Sequence, residues 1–546
     1  MTKPNRTARP TGTKVAAPKS RRPADAIFDV LKNLDEDMVS MLRRTMDEEL
    51  GLRPDTFGQE DPVDLFGEYI ETCRLGNVDE EEKDELLADL AGELDELKLD
   101  SNGGDRGARE KLEAIYDLLD KAIEDQALHP IDLMVTAKIF SDAGLTVPER
   151  LKQAVGEALQ ARPPDRECVT RDQIISSLFE ATELVEQNPF DVHENLNSFV
   201  AGLPTEACVG LLSELIAGRN AAIDHAIAGF VLHRDTDVAQ SVSKALAADA
   251  VRTPTASVLI ERLVRMRPWL SPSRQADLDA TIRAMRLNAL PPVKAELPKV
   301  IRCYVSVCDG SGTRSLLVTQ RTGIHYQIAT VMMKLDGVAD SMVLRELSKS
   351  AMDDLVRQMK SSVLMRETDL AGVTRMLELA IADNFASGKL PPFKLVEVAE
   401  ALGLGPIRPD RASPVEIIAG LLADLPPEQV NSTAVARAHA DILNSEFQRQ
   451  WFEAGQALED SLYPVKGSKQ RIAKVMKDYL PERRSFWARN CALSALAARD
   501  DQKTRHSLWK QLALVGRDIA SDIPIDQIPL MKQVAEVSVQ VFENRL

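Results

Sequence analysis

Between Lys466 and Arg489 the chain carries eight basic residues, at 466, 469, 471, 474, 477, 483, 484 and 489, opposed only by Asp478 and Glu482. Three of the four tryptophans (451, 487 and 509) lie in or beside this stretch, with Tyr463, Tyr479 and Phe486. Cations interleaved with aromatic rings suit phosphate neutralisation with base stacking. They equally suit docking of an acidic protein segment. A structural explanation competes with both: the rings seal a helical core while lysines and arginines solvate its outer face. The candidate binding residues are therefore Lys466, Lys469, Arg471, Lys474, Lys477, Arg483, Arg484, Trp487 and Arg489.

Other clusters are thinner. Arg252, Arg262, Arg265, Arg267, Arg274, Arg283 and Arg286 gather around Trp269, but Glu261, Asp277 and Asp279 partly compensate them, as on a solvated or self-paired helix surface. The chain has no GxSxG, GxxxxGK[ST] or HExxH, and no GxGxxG opening a helix. His233-Arg234-Asp235 echoes a kinase catalytic loop but lacks the asparagine that should follow it, so no catalytic residue is assigned. His225 and His233 are eight apart, about 80° away from a shared helical face, and do not make a metal site. Cys303 and Cys308, five apart on one expected strand, point to opposite faces, so one is expected in the core and the other partly exposed. The run from Asp100 begins like a calcium loop but has Lys111 where a bidentate glutamate is needed. Gly310-Ser-Gly312 offers backbone N–H groups to an anion, but Asp309 beside it opposes phosphate, and a hairpin turn needs the same residues. No metal or cofactor is expected.

These residues must be positioned by helices. At 546 residues the chain exceeds the size of a single core, and 44% apolar content with only 4% aromatics favours helix over strand. Six cysteines without CxxC spacing suit a reduced, cytoplasmic protein. No apolar run reaches signal-peptide or membrane-spanning length. The net charge of −17 is uneven. Residues 1–24 hold seven basic residues, four prolines and no acid, which predicts a disordered basic leader. Residues 25–128 read as an acidic helical region, in which Leu86, Leu87, Leu90, Leu94 and Leu97 share one face and acids fill the other.

From 129 to 297 short helices follow one another, at 171–186, 206–217, 219–232, 236–249, 254–266 and 272–286. Thr253-Pro254 and Asp235-Thr236 are start signals. The run Leu211-Leu-Ser-Glu-Leu-Ile-Ala-Gly-Arg-Asn220, with Ala221–Leu232 and Asp237–Leu246, resembles HEAT or armadillo repeats over roughly residues 206–286. The resemblance implies stacked helix pairs with an extended binding surface and no chemistry.

Residues 298–345 change period. Ile301, Cys303, Val305 and Val307 alternate with Arg302, Tyr304 and Ser306, a half-buried strand pattern. Turns at 309–313, 322–323 and 336–337 predict further strands at 314–321 and 324–334 and a short one near 342–344, with a covering helix to about 361. A C-terminal helical domain, 362–546, follows, with helices at 369–386, 414–424, 430–460, 468–480, 485–498, 504–519 and 527–544.

The expected fold is mostly α and multi-lobed, with helix-pair stacking and a small antiparallel β-meander inserted mid-chain. The expected function is a non-catalytic helical scaffold or protein-interaction module. It would bind a protein partner or a second copy, with Asp79–Asp100 of one chain meeting Lys466–Arg489 of another. A factor bound to RNA or DNA through the leader and the 466–489 patch is the alternative, and an enzyme of unrecognised type the second. No membrane association is expected.

Overall fold

Most of the expected helices carry their own start and stop signals, and these hold in a computed structural model of the chain. It describes residues 61–75, 80–102, 105–160, 188–217, 221–248, 254–287, 297–423, 425–445, 450–499 and 508–545. The leader and the helix expected at 171–186 lie outside the described residues. All described residues belong to one unit, Phe57–Leu546. They are mostly helical, with one small antiparallel sheet mid-chain.

The acidic region forms α1 (Pro62–Leu75), α2 (Glu80–Asn102) and α3 (Arg106–Glu124), which pack on one another. Leu90, Leu94 and Leu97 of α2 are buried and Leu86 and Leu87 half-buried, as their spacing requires. α2 runs as far as Asn102, and Asp105 caps α3 by accepting from the Ala108 N–H, so Asp100–Gly107 is a helix junction. There follow α4 (Pro130–Asp142), α5 (Glu149–Gln160), α6 (Pro189–Ala201), α7 (Thr205–Ala217) and α8 (Ala221–Ile227, with a 3-10 turn to Leu232). The series ends with α9 (Thr236–Ala248), α10 (Pro254–Met266) and α11 (Pro272–Arg286). Among the described helices, α4 packs on α6, α6 on α8, α7 on α9 and α9 on α11, so each buries its apolar stripe between neighbours.

The sheet contains β1 (Lys299–Ser306), β2 (Arg314–Thr322), β3 (His325–Lys334), β4 (Gly337–Leu347) and β5 (Met365–Thr368), in the order β4-β3-β2-β1-β5, all antiparallel. Four expectations are corrected here. β4 spans eleven residues rather than a short piece near 342–344, because its polar residues sit on an edge strand. β5 was unforeseen: four residues beside β1 are too few to show a period. The in-and-out alternation of β1 also fails, since Tyr304 and Ser306 are as buried as Cys303 and Val305. The cause is that both faces are covered. α12 (Lys349–Ser362) lies on β3 and β4, and Lys360 sits over the Tyr304 ring at 4.3 Å. α13 (Leu370–Ser387) and α14 (Lys394–Ala401) pack on the face carrying Cys303, Val305, Val318 and Ala329. Hence Cys303 and Cys308 are both fully buried, and the partial exposure expected for one is wrong.

The C-terminal helices are α15 (Pro414–Leu422), α16 (Ser432–Leu443), α17 (Gln456–Leu462), α18 (Ser468–Lys474, extended by a π turn to Tyr479), α19 (Arg484–Arg499), α20 (Leu508–Ala520) and α21 (Pro529–Arg545). The single helix expected over 430–460 is corrected: α16 stops at Leu443 and α17 starts after Gly455, which takes φ +118°. The break lets Trp451 insert into the core, where its indole N–H donates to the Cys308 carbonyl at 2.8 Å. Apolar side chains form two clusters. One runs from α1 through the sheet to Ile407, and the other holds α15–α21 around Trp451 and Trp487 and reaches Val307, Cys308 and Leu379.

Candidate interaction face at residues 466–489

The nine candidate residues are not used alike. α18 begins at Ser468 after Gly467 (φ +88°), and α19 begins at Arg484, so the basic residues lie on or beside two helices, with Val475 and Leu480 buried between them. Arg471 points inward: its guanidinium pairs with Glu543 at 2.7 Å, donates to the Val465 carbonyl and stacks on Phe542. The Ser468 hydroxyl and then Arg471 hold the Glu543 carboxyl below its usual range.

Arg483 pairs with Glu453 at 2.9 Å and lies over Phe486. Glu453 is itself buried, and it also accepts from the Trp487 indole N–H at 2.8 Å and the Tyr479 hydroxyl. Burial first, and Glu453 second, push the Tyr479 phenol up to about 12. Arg484 donates to the carbonyls of Ile519, Ser521 and Ile523, and so satisfies the end of α20. Arg489 reaches Asp383 of α13, whose other oxygen accepts from Arg314 of β2 at 3.2 Å. Arg314 is fully buried, so this carboxylate bridges the sheet to the C-terminal helices.

Trp487 is fully buried, Trp451 and Phe486 are buried beside it, and Trp509 is half-buried. The rings expected as stacking platforms therefore build the core, and Tyr463 alone among them is largely exposed, at 65%. Lys466, Lys469 and Lys477 are exposed and Lys474 half-buried. Among the described residues, no acid lies within ion-pair distance of these four. The structure thus separates the nine: four arginines and a tryptophan are held by partners in the fold, while three lysines are exposed and Lys474 is half-buried. Guanidinium geometry explains the division, because a planar fork satisfies several buried acceptors at once while an ammonium keeps its hydration.

The second arginine cluster is only in part self-paired. Arg262 binds Glu400 at 2.9 and 3.0 Å, touches His225 and stacks on Phe190 at 4.5 Å. Arg267 pairs with Asp279, and Arg274 donates to the carbonyls of Val231 and His233. Arg252 lies outside the described residues. Asp309 folds its carboxylate onto the N–H groups of Ser311 and Thr313, which makes the turn at 309–313 self-satisfied. Among the described residues no group of three His, Cys, Asp or Glu is arranged to hold a metal ion, and no helix is long and apolar enough to cross a membrane.

One charged cluster escaped the sequence reading. Lys394 of α14 pairs with Asp191 and Glu194 of α6, while Glu397, fully buried, pairs with Arg345 of β4. Beside them His193 is packed between Phe230 and Phe393, its Nδ1 2.9 Å from the Ala226 carbonyl. Burial lowers its pKa to about 4, so the ring is neutral. The members of this cluster are brought together from α6, β4 and α14, with Arg345 and Glu397 52 positions apart, and no local spacing announces them.

Comparison with known proteins adds a family resemblance. Residues 415–543 match the model described as the Y4lR C-terminal helical domain, and residues 204–288 match the Y4lR second domain. A protein of Sinorhizobium fredii (strain NBRC 101917 / NGR234), named "Uncharacterized protein y4lR", is 24% identical over 466 residues, spanning 81% of this chain and 85% of its own. The chain is similar to Y4lR. No solved structure matches. The first matched segment coincides with the C-terminal apolar cluster, and the second covers α7 to α11. The stretch that resembled HEAT repeats is therefore the stretch that matches the Y4lR second domain.

Proposed function

We propose that this chain is a non-catalytic helical interaction module that docks an acidic protein segment on the lysines at 466, 469, 474 and 477. One observation carries the reading: these four lysines have no acidic partner among the described residues, whereas every arginine in the same segment is held by a carboxylate or by backbone carbonyls. Lysines left unpaired in an acidic chain are suited to electrostatic docking. The layered helix pairs from α4 to α11 support a HEAT-like scaffold, because such layers present long surfaces of paired helices. Five described cysteines are buried and unpaired, which supports a reducing, cytoplasmic setting. Against the nucleic-acid alternative stands the loss of Trp487 and Phe486 to the core, leaving few rings for bases.

The test is fluorescence anisotropy with a labelled glutamate-rich peptide and a labelled single-stranded RNA, on the intact chain and on a Lys466→Gln/Lys469→Gln/Lys474→Gln/Lys477→Gln variant. The expected result is peptide binding at low salt that weakens as salt rises and falls at least tenfold in the variant. RNA bound more tightly than peptide, with the same lysine dependence, would transfer the face to nucleic acid. No binding of either probe at low salt would remove the docking function.

A further inference from the structure

The lysine face has a counterpart on the same molecule. Along α2, Leu90, Leu94 and Leu97 are buried against α1 and α3, which turns Asp89, Glu93 and Glu96 outward at steps of four and three. Asp89 and Glu96 are exposed and Glu93 is half-buried, and none of the three is in an ion pair among the described residues. The Glu93 carboxyl is pushed above its usual range, first by burial and then by the like charge of Glu96, with Lys111 of α3 offsetting part of the effect.

The two charged faces border one contact. Arg109, at the start of α3, pairs with Glu459 of α17 at 3.8 Å, both side chains being about four-fifths buried. Arg106, one turn earlier, is held first by Glu110 and also lies within electrostatic reach of Tyr463 and Asp460. Lys111, two residues beyond Arg109, lies within electrostatic reach of Glu93. α2 runs alongside α3, and α17 leads within a few residues into Lys466 and α18. An acidic stripe and a lysine face thus flank the α3–α17 contact.

We propose that the acidic partner of the lysine face is α2 of a second copy of this chain, and that the two copies close about a twofold axis. Adjacent patches of opposite charge are self-complementary under a twofold rotation, which sets the acidic stripe of each copy on the lysines of the other. Both contacts form together, and no unpaired patch is left to recruit a third copy. The inference rests on the reading of 466–477 as a docking face and names its partner.

The experiment is sedimentation of the full chain at low and high salt, with the folding of each variant checked by circular dichroism. The intact chain is expected to dimerise at low salt, with its association constant falling at least about tenfold at high salt. Lys466→Glu/Lys469→Glu/Lys477→Glu should be monomeric, and so should Asp89→Lys/Glu93→Lys/Glu96→Lys. An equimolar mixture of the two reversed variants should restore the dimer, because both interfaces then again pair opposite charges. An intact chain that stays monomeric at low salt overturns the second copy as partner. If that monomer still binds the glutamate peptide, the docking face stands and only its occupant is wrong. A dimer that persists unchanged in both reversed variants, or a mixture that stays monomeric, overturns the proposed pairing.

Discussion

Trp487 shows how residue type and residue role come apart. Its ring contacts Trp451 at 5.6 Å and Phe486 at 5.2 Å, and its indole N–H is spent on Glu453. Trp487→Ala should therefore cost about 3–5 kcal/mol, from the cavity and the weakened Glu453 network. Lys469→Gln should change stability by no more than about 0.5 kcal/mol. Urea unfolding of the two variants checks the contrast, and equal midpoints would contradict the division of the segment. His193 makes a pH prediction. Its folded pKa of about 4 lies below the ordinary 6.5, so between those values the unfolded chain binds the extra proton. The neutral ring's contribution is complete above pH 6.5 and is lost as pH falls towards 4, amounting to about 3 kcal/mol at most. His193→Gln should flatten that part of the stability curve, measured as the difference in unfolding midpoint between pH 7 and pH 5.

At the scale of elements, the turn between β1 and β2 is a docking point as well as a connection. The Gly310 N–H donates to the Gln450 carbonyl at 2.9 Å. A Cβ there would stand 2.6 Å from the carbonyl oxygens of both Gln450 and Phe452. Those atoms are backbone, so Gly310→Ala should cost about 3 kcal/mol or more by forcing the hairpin off the break between α16 and α17. Gly323, at the next turn, has φ +60° and open space around it, so Gly323→Ala should cost only about 1 kcal/mol of backbone strain. Thermal unfolding of the two variants separates a packing contact from a conformational one. The sheet also shows why β1 misled the sequence reading: alternation marks a half-buried strand only when one face meets water, and α12 and α13 cover both.

On the scale of the whole molecule, Arg262 of α10 and Glu400 of α14 tie the stacked helix pairs to the layer over the sheet. Arg262 is buried and also touches His225 and Phe190, so removing its partner strands a charge. Glu400→Ala should cost about 2 kcal/mol or more, while Arg262→Met/Glu400→Met should be milder, because the stranded charge is gone. A double-mutant cycle by chemical denaturation measures the coupling. A double variant worse than the single one would mean that the pair itself stabilises the junction.

The sequence alone determined the helices that carry their own signals. Pro254, Pro272, Pro414, Ser348, Asp369 and Gly388 start or stop helices where their local chemistry says they should. It also determined the turns at 309–313, 322–323 and 336–337 and the leucine face of α2. These depend on neighbours a few residues apart, and such neighbours are visible in a linear chain. Tertiary structure decided which cations are spent and which are free. Arg489 belongs to Asp383, Arg483 to Glu453 and Arg471 to Glu543, partners 106, 30 and 72 residues distant. It also decided that 430–460 breaks for Trp451 and that both faces of β1 are covered. The physical reason is common to all of these: burial and ion pairing are properties of what arrives from elsewhere in the fold. A run of eight basic residues therefore reads as one patch in sequence, and in three dimensions becomes four arginines held by partners in the fold and four lysines with no acid within ion-pair distance among the described residues.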